Sequence, residues 1–206
     1  FDKIDVVVNT ASLSAPWGSK ESFYLSNVIT QENMIKAAED AKVKRFIYIS
    51  SPSIYYNGKH RRLIKESDPL PVKFINHYAE TKKEAEILLR KSNLNHIIIR
   101  PRAIIGRGDT VIMPRLIRAY SEGKLKIIGD GNNYVDLTSV ENVVESIRLS
   151  IYASEEALNH SYNITDGNPV KLWDSINFVL EGIGKQKVEK KVPFKLAYIA
   201  AFISEI

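Results

Sequence analysis

The sequence predicts an α/β fold in which helices cover both faces of a mainly parallel sheet. Three short apolar runs recur in the first half of the chain, and each one ends in a polar residue or a proline. Stretches that favour helix separate these runs, and strands that alternate with helices of this length are typical of βαβ units. The 206 residues suit one large domain, or one domain with part of a second.

The predicted elements follow one another in a regular order. Strands are expected over residues 4–9, 45–50 and 96–100, with helices from about 22 to 41 and from about 77 to 91. Each strand is apolar along most of its length, as expected for a strand that is buried on both faces. A doubly wound parallel sheet accounts for this pattern.

After Pro101 the sequence changes character, because glycine and proline break it into shorter elements. We therefore expect residues 1–102 to form the sheet domain and residues 103–206 to form mostly a smaller substrate-binding region. A strand and a helix near residues 135–153 are expected to pack back on the sheet. The apolar end, residues 192–206, is expected to be a helix, either packed on the protein or lying on a membrane surface.

Composition excludes several classes of protein. The chain has no cysteine, which rules out a disulfide scaffold, a thiolate zinc site and a cysteine nucleophile. Its four histidines are scattered without metal-ligand spacing, so we expect no metal. The net charge is +5, but the basic run at residues 59–62 is typical of a solvated loop, and no nucleic-acid partner is expected. No apolar run reaches the roughly 18–20 residues of a membrane span.

Tyr78 and Lys82 are the most informative pair in the sequence. They are four residues apart near the start of a predicted helix, so they project from the same face. A nearby ammonium lowers the pKa of a phenol, which can then exchange a proton with an alcohol or carbonyl oxygen near neutral pH. The spacing alone is a weak pattern, because it also describes an ordinary pair on a helix surface.

The setting of this pair strengthens the catalytic interpretation. Ser50 and Ser51 follow the second predicted strand, and Asn9 ends the first. The carboxyl ends of parallel strands meet at the sheet edge where open α/β sheets bind their ligands. We therefore expect the serines, Tyr78 and Lys82 to converge on one crevice, where a serine hydroxyl can donate to a substrate oxygen.

With these motifs in this order, the chain resembles the extended short-chain dehydrogenase/reductase superfamily, which implies a Rossmann-type sheet. The matching segments are Val6 to Ser12, Asn27 with Val28, Ser50 to Tyr55, Tyr78 to Lys82, and Arg100 to Gly106. Residues 135–144 and 193–198 are similar to the branch that contains 3β-hydroxysteroid dehydrogenases and sterol-4-carboxylate 3-dehydrogenases. Members of this superfamily transfer a hydride between a secondary alcohol or ketone and NAD or NADP.

The resemblance also implies roles for individual residues. Tyr78 would act as the acid/base, and Lys82 would lower its pKa and hold the nicotinamide ribose. Ser51 would orient the substrate oxygen, and Asn27 would complete the proton relay. The residues implied to contact the cofactor are Thr10, Ala11, Ser12, Asn27, Tyr78, Lys82, Pro101 and Ala103.

One feature of the superfamily is absent from the sequence. The glycine-rich turn that binds the pyrophosphate, which should follow a first strand and open a helix, does not occur. We expect roughly the first two βαβ steps to precede Phe1, so that the chain is an internal fragment. The residue that distinguishes NAD from NADP should lie in the same missing part, and the choice between the two stays open.

Two other functions remain open. A nucleotide-sugar epimerase or dehydratase would use the same residues on an anionic substrate, and four arginines support that alternative because arginine is well suited to bind phosphate. They are Arg102, Arg107, Arg115 and Arg118. A non-catalytic NAD(P)-sensing regulator would not need Ser51, Tyr78, Lys82 and Asn27 together. We also expect a small-molecule substrate, a homodimer and a cytoplasmic location, with peripheral membrane association as a further hypothesis.

Overall fold

The structure, a computed structural model, describes residues 3–15 and 17–204. The strands are β1 (Val6–Asn9), β2 (Arg45–Ile49), β3 (His96–Pro101), β4 (Ile104–Ile105), β5 (Ile127–Ile128), β6 (Tyr134–Val135), β7 (Thr138–Ser139), β8 (His160–Ile164), β9 (Val170–Lys171) and β10 (Lys191–Val192). The helices are α1 (Lys20–Tyr24), α2 (Thr30–Asp40), α3 (His77–Lys91), α4 (Ile112–Ser121), α5 (Val140–Ile151), α6 (Leu172–Gly182) and α7 (Phe194–Ser204). A π-helical segment, Leu25–Ile29, joins α1 to α2, and short 3₁₀ turns cover Pro52–Tyr55 and Glu155–Ala157.

The chain divides into two compact units, and neither is continuous in sequence. The first unit combines Phe1–Ile104 with Val140–Thr165, and the second combines Ile105–Ser139 with Asp166–Ile206. The first unit therefore includes α5 and β8, which come late in the chain. The second unit takes β6, which pairs antiparallel with β9, so the strand expected near residue 135 does not join the parallel sheet.

The first unit contains the predicted parallel sheet. Its four strands lie in the order β1-β2-β3-β8, all parallel, which confirms the doubly wound α/β prediction. Asn9 lies opposite Tyr48, and Tyr48 lies opposite Ile98, so β1, β2 and β3 end at one edge of the sheet. The register therefore brings the residues that follow Asn9, Ile49 and Pro101 to the same side of the unit.

Alternate residues of the strands build two separate cores. On the face covered by α2 and α3, Phe46, Tyr48 and Ile98 are buried with apolar residues of these helices. On the opposite face, Ile47 and Ile97 pack under α5 and the segment that follows it. The period of two along β2 and β3 thus sends successive side chains to opposite layers.

Arg45, the first residue of β2, holds the end of α5 in place. Its guanidinium donates to the carbonyl oxygens of Ser150, Ile151 and Ala153 at 2.8, 2.6 and 2.8 Å. The last carbonyls of a helix have no partner within the helix, and a cation there also suits the helix dipole. This contact explains why α5 belongs to the first unit although it follows the second unit's first segment in sequence.

The second unit has a smaller apolar core. Ile127, Ile176, Leu180 and Val188 are buried together, and β5 pairs parallel with β10. The apolar end of the chain forms α7, in which Phe194 and Tyr198 are each 65% exposed. Residues 205 and 206 of the expected helix lie outside the described residues. Within residues 3–15 and 17–204, no helix has both the length and the apolar character needed to cross a membrane.

Candidate active site

Helix α3 places the predicted Tyr78–Lys82 pair at its N-terminal end. The Asn76 side chain accepts a hydrogen bond from the Ala79 backbone at 2.9 Å, which caps the helix and fixes its start at His77. Tyr78 is consequently in the first turn and Lys82 in the second. The buried face of α3 carries ordinary apolar residues together with Lys82 and Glu86.

Lys82 is the most unusual of the predicted site residues, because it is a lysine and is nevertheless only 2% exposed. Its ammonium donates to the Ile49 carbonyl oxygen at 2.6 Å and to the Tyr48 hydroxyl at 3.1 Å. Burial lowers the pKa of Lys82 to about 8, against the opposing effect of the nearby Glu86 carboxylate. An ammonium has three N–H donors, and these two acceptors account for two of them.

Tyr78 is half-buried, and Phe23 fixes one side of its ring. The two ring centroids are 6.5 Å apart at an angle of 59°, and the Phe23 ring also lies 6.4 Å from that of His77. A cleft of about 490 Å³ lies beside this end of α3. Its apolar lining residues include Trp17, Phe23, Val72, Phe74 and Ile75. Lys73, Asn76, His77 and Glu80 also line it, so the space beside the acid/base candidate is of mixed apolar and polar character.

Ser51 lies where β2 gives way to the 3₁₀ turn Pro52–Tyr55. Its hydroxyl accepts a hydrogen bond from the Ser53 backbone at 3.2 Å and caps that turn, which packs against α3. The neighbouring hydroxyls of Ser50 and Ser53 are buried and have no partner among the described residues. Buried hydroxyls usually have a partner, so this strand end has unused hydrogen-bonding capacity.

Asn27 lies in the π-helical segment and is 2% exposed. Its side-chain oxygen accepts from the Leu13 backbone at 2.7 Å and from the Ser12 hydroxyl at 3.2 Å, and its amide donates to Thr81 at 3.0 Å. Asn27 thus connects the loop after β1 to the residue before Lys82. These bonds hold the loop after β1 against α3, and π-helical insertions of this kind are frequent at functional sites.

The structure contains a buried ion pair near the site that the sequence did not predict. Arg100 donates to both carboxylate oxygens of Glu86, at 2.8 and 2.5 Å, and also to the Tyr55 hydroxyl. Tyr55 in turn donates to Asn163 at 3.2 Å. Glu86 comes one helical turn after Lys82, and this four-residue spacing could have indicated that both side chains lie on the same face of the helix. Its partner on β3 was not predictable from sequence.

The predicted cofactor contacts lie at the three strand ends. Thr10 and Ala11 are exposed after β1, and Ser12 is partly exposed. Pro101 ends β3, and Ala103 has a φ of +40°, a strained conformation for a residue with a side chain. These residues could hold a cofactor at this edge of the sheet.

The chain is similar in sequence to members of one protein family over most of its length. The sequence profile of the 3-beta hydroxysteroid dehydrogenase/isomerase family matches residues 1–196. The chain is 36% identical to 3beta-hydroxysteroid-dehydrogenase/decarboxylase isoform 1 of Arabidopsis thaliana, in a match that covers 100% of the chain and 50% of that relative. It is 31% identical to 2-alkyl-3-oxoalkanoate reductase of Stenotrophomonas maltophilia, with 98% and 64% covered.

Solved structures support the fold. UDP-glucuronic acid 4-epimerase from Bacillus cereus, solved in complex with NAD, superposes with a TM-score of 0.78 at 23% identity. The match covers 93% of the chain and 64% of the epimerase. At this identity the likeness concerns the fold. The chain spans about half the length of its Arabidopsis relative.

Proposed function

The chain belongs to the 3-beta hydroxysteroid dehydrogenase/isomerase family, and on this basis we propose that it is part of an enzyme that transfers a hydride between an apolar secondary alcohol or ketone and NAD or NADP. The family match confirms the resemblance predicted from the sequence. One observation carries the proposal. Lys82, a residue of α3, is buried beside the end of β2 and one helical turn from Tyr78, and its ammonium donates a hydrogen bond to the Ile49 carbonyl oxygen. A buried ammonium costs stability, so its retention favours a role in chemistry.

Each residue of the site has a defined task in this proposal. Tyr78 moves a proton to or from the reacting oxygen, and Lys82 supplies a positive charge one helical turn away. The remaining donor of Lys82 would hold the nicotinamide ribose, while Thr10, Ala11, Ser12, Pro101 and Ala103 would line the cofactor. Ser51 would orient the substrate oxygen. NAD or NADP supplies the hydride chemistry when it is bound.

The substrate class is argued from the relatives and from the cleft. One relative is a steroid dehydrogenase/decarboxylase and the other reduces 2-alkyl-3-oxoalkanoates. Loss of carbon dioxide after oxidation is the chemistry of a ketone β to a carboxylate, and a 3-oxoalkanoate has the same arrangement. The cleft beside α3 is lined by Trp17, Phe74 and Ile75. We propose an apolar 3-hydroxy or 3-oxo compound, with or without a carboxylate on the carbon next to the reacting one.

The location and assembly of the protein also belong to this proposal. A homodimer in the cytoplasm, with peripheral attachment to a membrane through α7, accords with the exposed apolar residues of that helix. Light scattering tests the homodimer, and flotation with lipid vesicles tests the membrane attachment, both separately from activity.

The proposed activity is tested on the natural full-length protein. Absorbance of NADH and NADPH would be followed with 3β-hydroxysteroids, 3-hydroxy and 3-oxo fatty acids, other apolar secondary alcohols, and UDP-, GDP- and dTDP-sugars. Chromatography would detect redox-neutral conversion of the sugars. Turnover of the apolar alcohols or ketones alone is the expected result. Conversion of nucleotide sugars alone would establish the epimerase alternative, and cofactor binding without any turnover would establish the sensor.

A further inference from the structure

A buried tyrosine in β2 lies directly against Lys82. Tyr48 is fully buried, and its hydroxyl is the second acceptor of the Lys82 ammonium, at 3.1 Å. The same ammonium lies 4.5 Å from the centroid of the Tyr48 ring. One side chain therefore offers Lys82 both an oxygen lone pair and an aromatic face, and the two contacts restrict its position in different directions.

The surroundings of this contact keep the Tyr48 hydroxyl protonated. Burial is the largest influence that raises the pKa of Tyr48 well above its usual range, followed by the charge of Glu86 and by Tyr78. The charged and titratable groups around Lys82 are Tyr48 on β2, and Tyr78 and Glu86 on α3. Arg100 on β3 pairs with Glu86 and balances its charge. A neutral hydroxyl in this setting serves Lys82 as a fixed hydrogen-bond acceptor.

We propose that Tyr48 is a positioning residue for Lys82, whose hydroxyl and ring hold the ammonium at the end of β2 so that its remaining N–H and its charge are directed to the cofactor and to Tyr78. This inference rests on the proposed function. Ile49 alone could not fix the ammonium, because a single carbonyl leaves a long side chain free to rotate about that bond. Tyr48 touches neither substrate nor cofactor in this role.

The first test measures Lys82 itself and needs neither cofactor nor substrate. The natural full-length protein is labelled with carbon-13 lysine, and the Lys82 resonance is identified by its loss in Lys82→Met. In Tyr48→Phe we expect the titration midpoint of Lys82 to fall by roughly one pH unit, the effect of one lost hydrogen bond to a charged group. Tyr162→Phe is the matched control, because it removes a hydroxyl bonded to the Ala157 carbonyl elsewhere in the same unit. Its Lys82 midpoint should not move.

The second test is the pH profile of kcat/KM for oxidation. Lys82 must be charged, so a lower Lys82 pKa in Tyr48→Phe moves the alkaline limb to lower pH. A merely structural defect would reduce the rate at every pH without moving either limb.

A second variant covers the case in which Tyr48→Phe does not fold. Tyr48→Ile places a β-branched residue in a buried strand and also lacks the oxygen, so it should lower the Lys82 midpoint as well. An unchanged midpoint in a folded variant would overturn the proposal. Absence of turnover in the wild-type protein would contradict the proposed function only, because the resonance experiment is independent of it.

Discussion

The two faces of the parallel sheet are built on different principles. The face covered by α2 and α3 buries Lys82, Glu86 and Arg100 together with its apolar residues. The face covered by α5 buries Ile47, Ile97, Ile99 and Leu158 as an apolar cluster, and α5 also buries Ser150. Both faces share the same strands, so the difference comes from which alternate residues are polar and from the helix that covers them.

This contrast shows where stability and chemistry are located. Taking charges out of water is costly unless they are paired, and the α3 face meets that cost with an ion pair and several hydrogen bonds. The α5 face has apolar burial and the Arg45 cap, and its described contacts include no predicted site residue. We therefore expect substitutions on the α5 face to change stability alone. Substitutions on the α3 face should change both stability and activity, and the two effects need not be proportional.

The largest expected effect is on activity, from Tyr78→Phe on the α3 face. Loss of the proton-transferring group should reduce kcat by about 10²–10⁴ while cofactor affinity stays within a few-fold. Tyr162→Phe, which alters a tyrosine packed on the α5 face, should keep full activity. Steady-state kinetics and cofactor titration of the full-length variants measure both. Equal activities of the two variants would remove the functional distinction between the faces.

Next in size is the loss of stability when the buried ion pair is broken. Glu86→Gln leaves the Arg100 guanidinium buried without its charge partner, and we expect the free energy of unfolding to fall by about 3–5 kcal/mol. Glu145→Gln on α5 is the control, since the Glu145–Arg148 pair is about half exposed and screened by water, so that its loss should leave stability nearly unchanged. Chemical denaturation followed by circular dichroism compares them. A loss below 1 kcal/mol for Glu86→Gln would show that the pair is not effectively buried.

On the α5 face, Ile97→Ala is expected to lower stability without affecting the catalytic chemistry. Ile97 is 1% exposed, and its truncation leaves a cavity that should lower the free energy of unfolding by about 2–4 kcal/mol. The pH profile of the surviving activity should remain that of the wild-type protein. Leu149→Ala, at a position that is 55% exposed on α5, should change stability by less than about 0.5 kcal/mol. A shifted pH profile in Ile97→Ala would mean that the two faces are coupled.

The smallest expected change in stability is a gain, from Lys82→Met. The folded pKa of Lys82, about 8, lies below the ordinary value of 10.5, so the unfolded chain binds more protons between these values. The burial penalty is full below pH 8 and disappears as the pH rises to 10.5. At pH 7 the variant should be more stable by about 1–2 kcal/mol, which allows for the two hydrogen bonds it loses, and inactive. Denaturation at pH 7 and 10 should show this advantage shrinking, and an advantage that grows with pH would refute the burial argument.

Sequence alone was sufficient for three strands of the parallel sheet and for the central pair, whereas the fourth strand, β8, was not predicted. The apolar runs predicted β1, β2 and β3, and the spacing of Tyr78 and Lys82 placed both on one helix. Each of these conclusions depends on residues that are near in sequence or on the common direction of parallel strands.

The partners of the site residues could not be predicted in the same way. Tyr48 lies within an apolar strand, where an aromatic residue normally indicates core packing. Asn27 and Thr81 are 54 residues apart, and only the packed structure brings their side chains together. The bonds that orient Lys82 and Asn27 depend on side-chain direction across elements, which periodicity does not determine.

The interleaving of the two units constrains how the protein can be divided or recombined. The polypeptide passes between the units three times, after residues 104, 139 and 165, so no single cleavage separates them. A fragment that ended at residue 104 would lack β8, the neighbour of β3, and would leave Arg45 without its three carbonyl acceptors. A chimaera that exchanges the second unit with that of a relative must therefore graft residues 105–139 and 166–206 as a matched set and retain the intervening segment of the host.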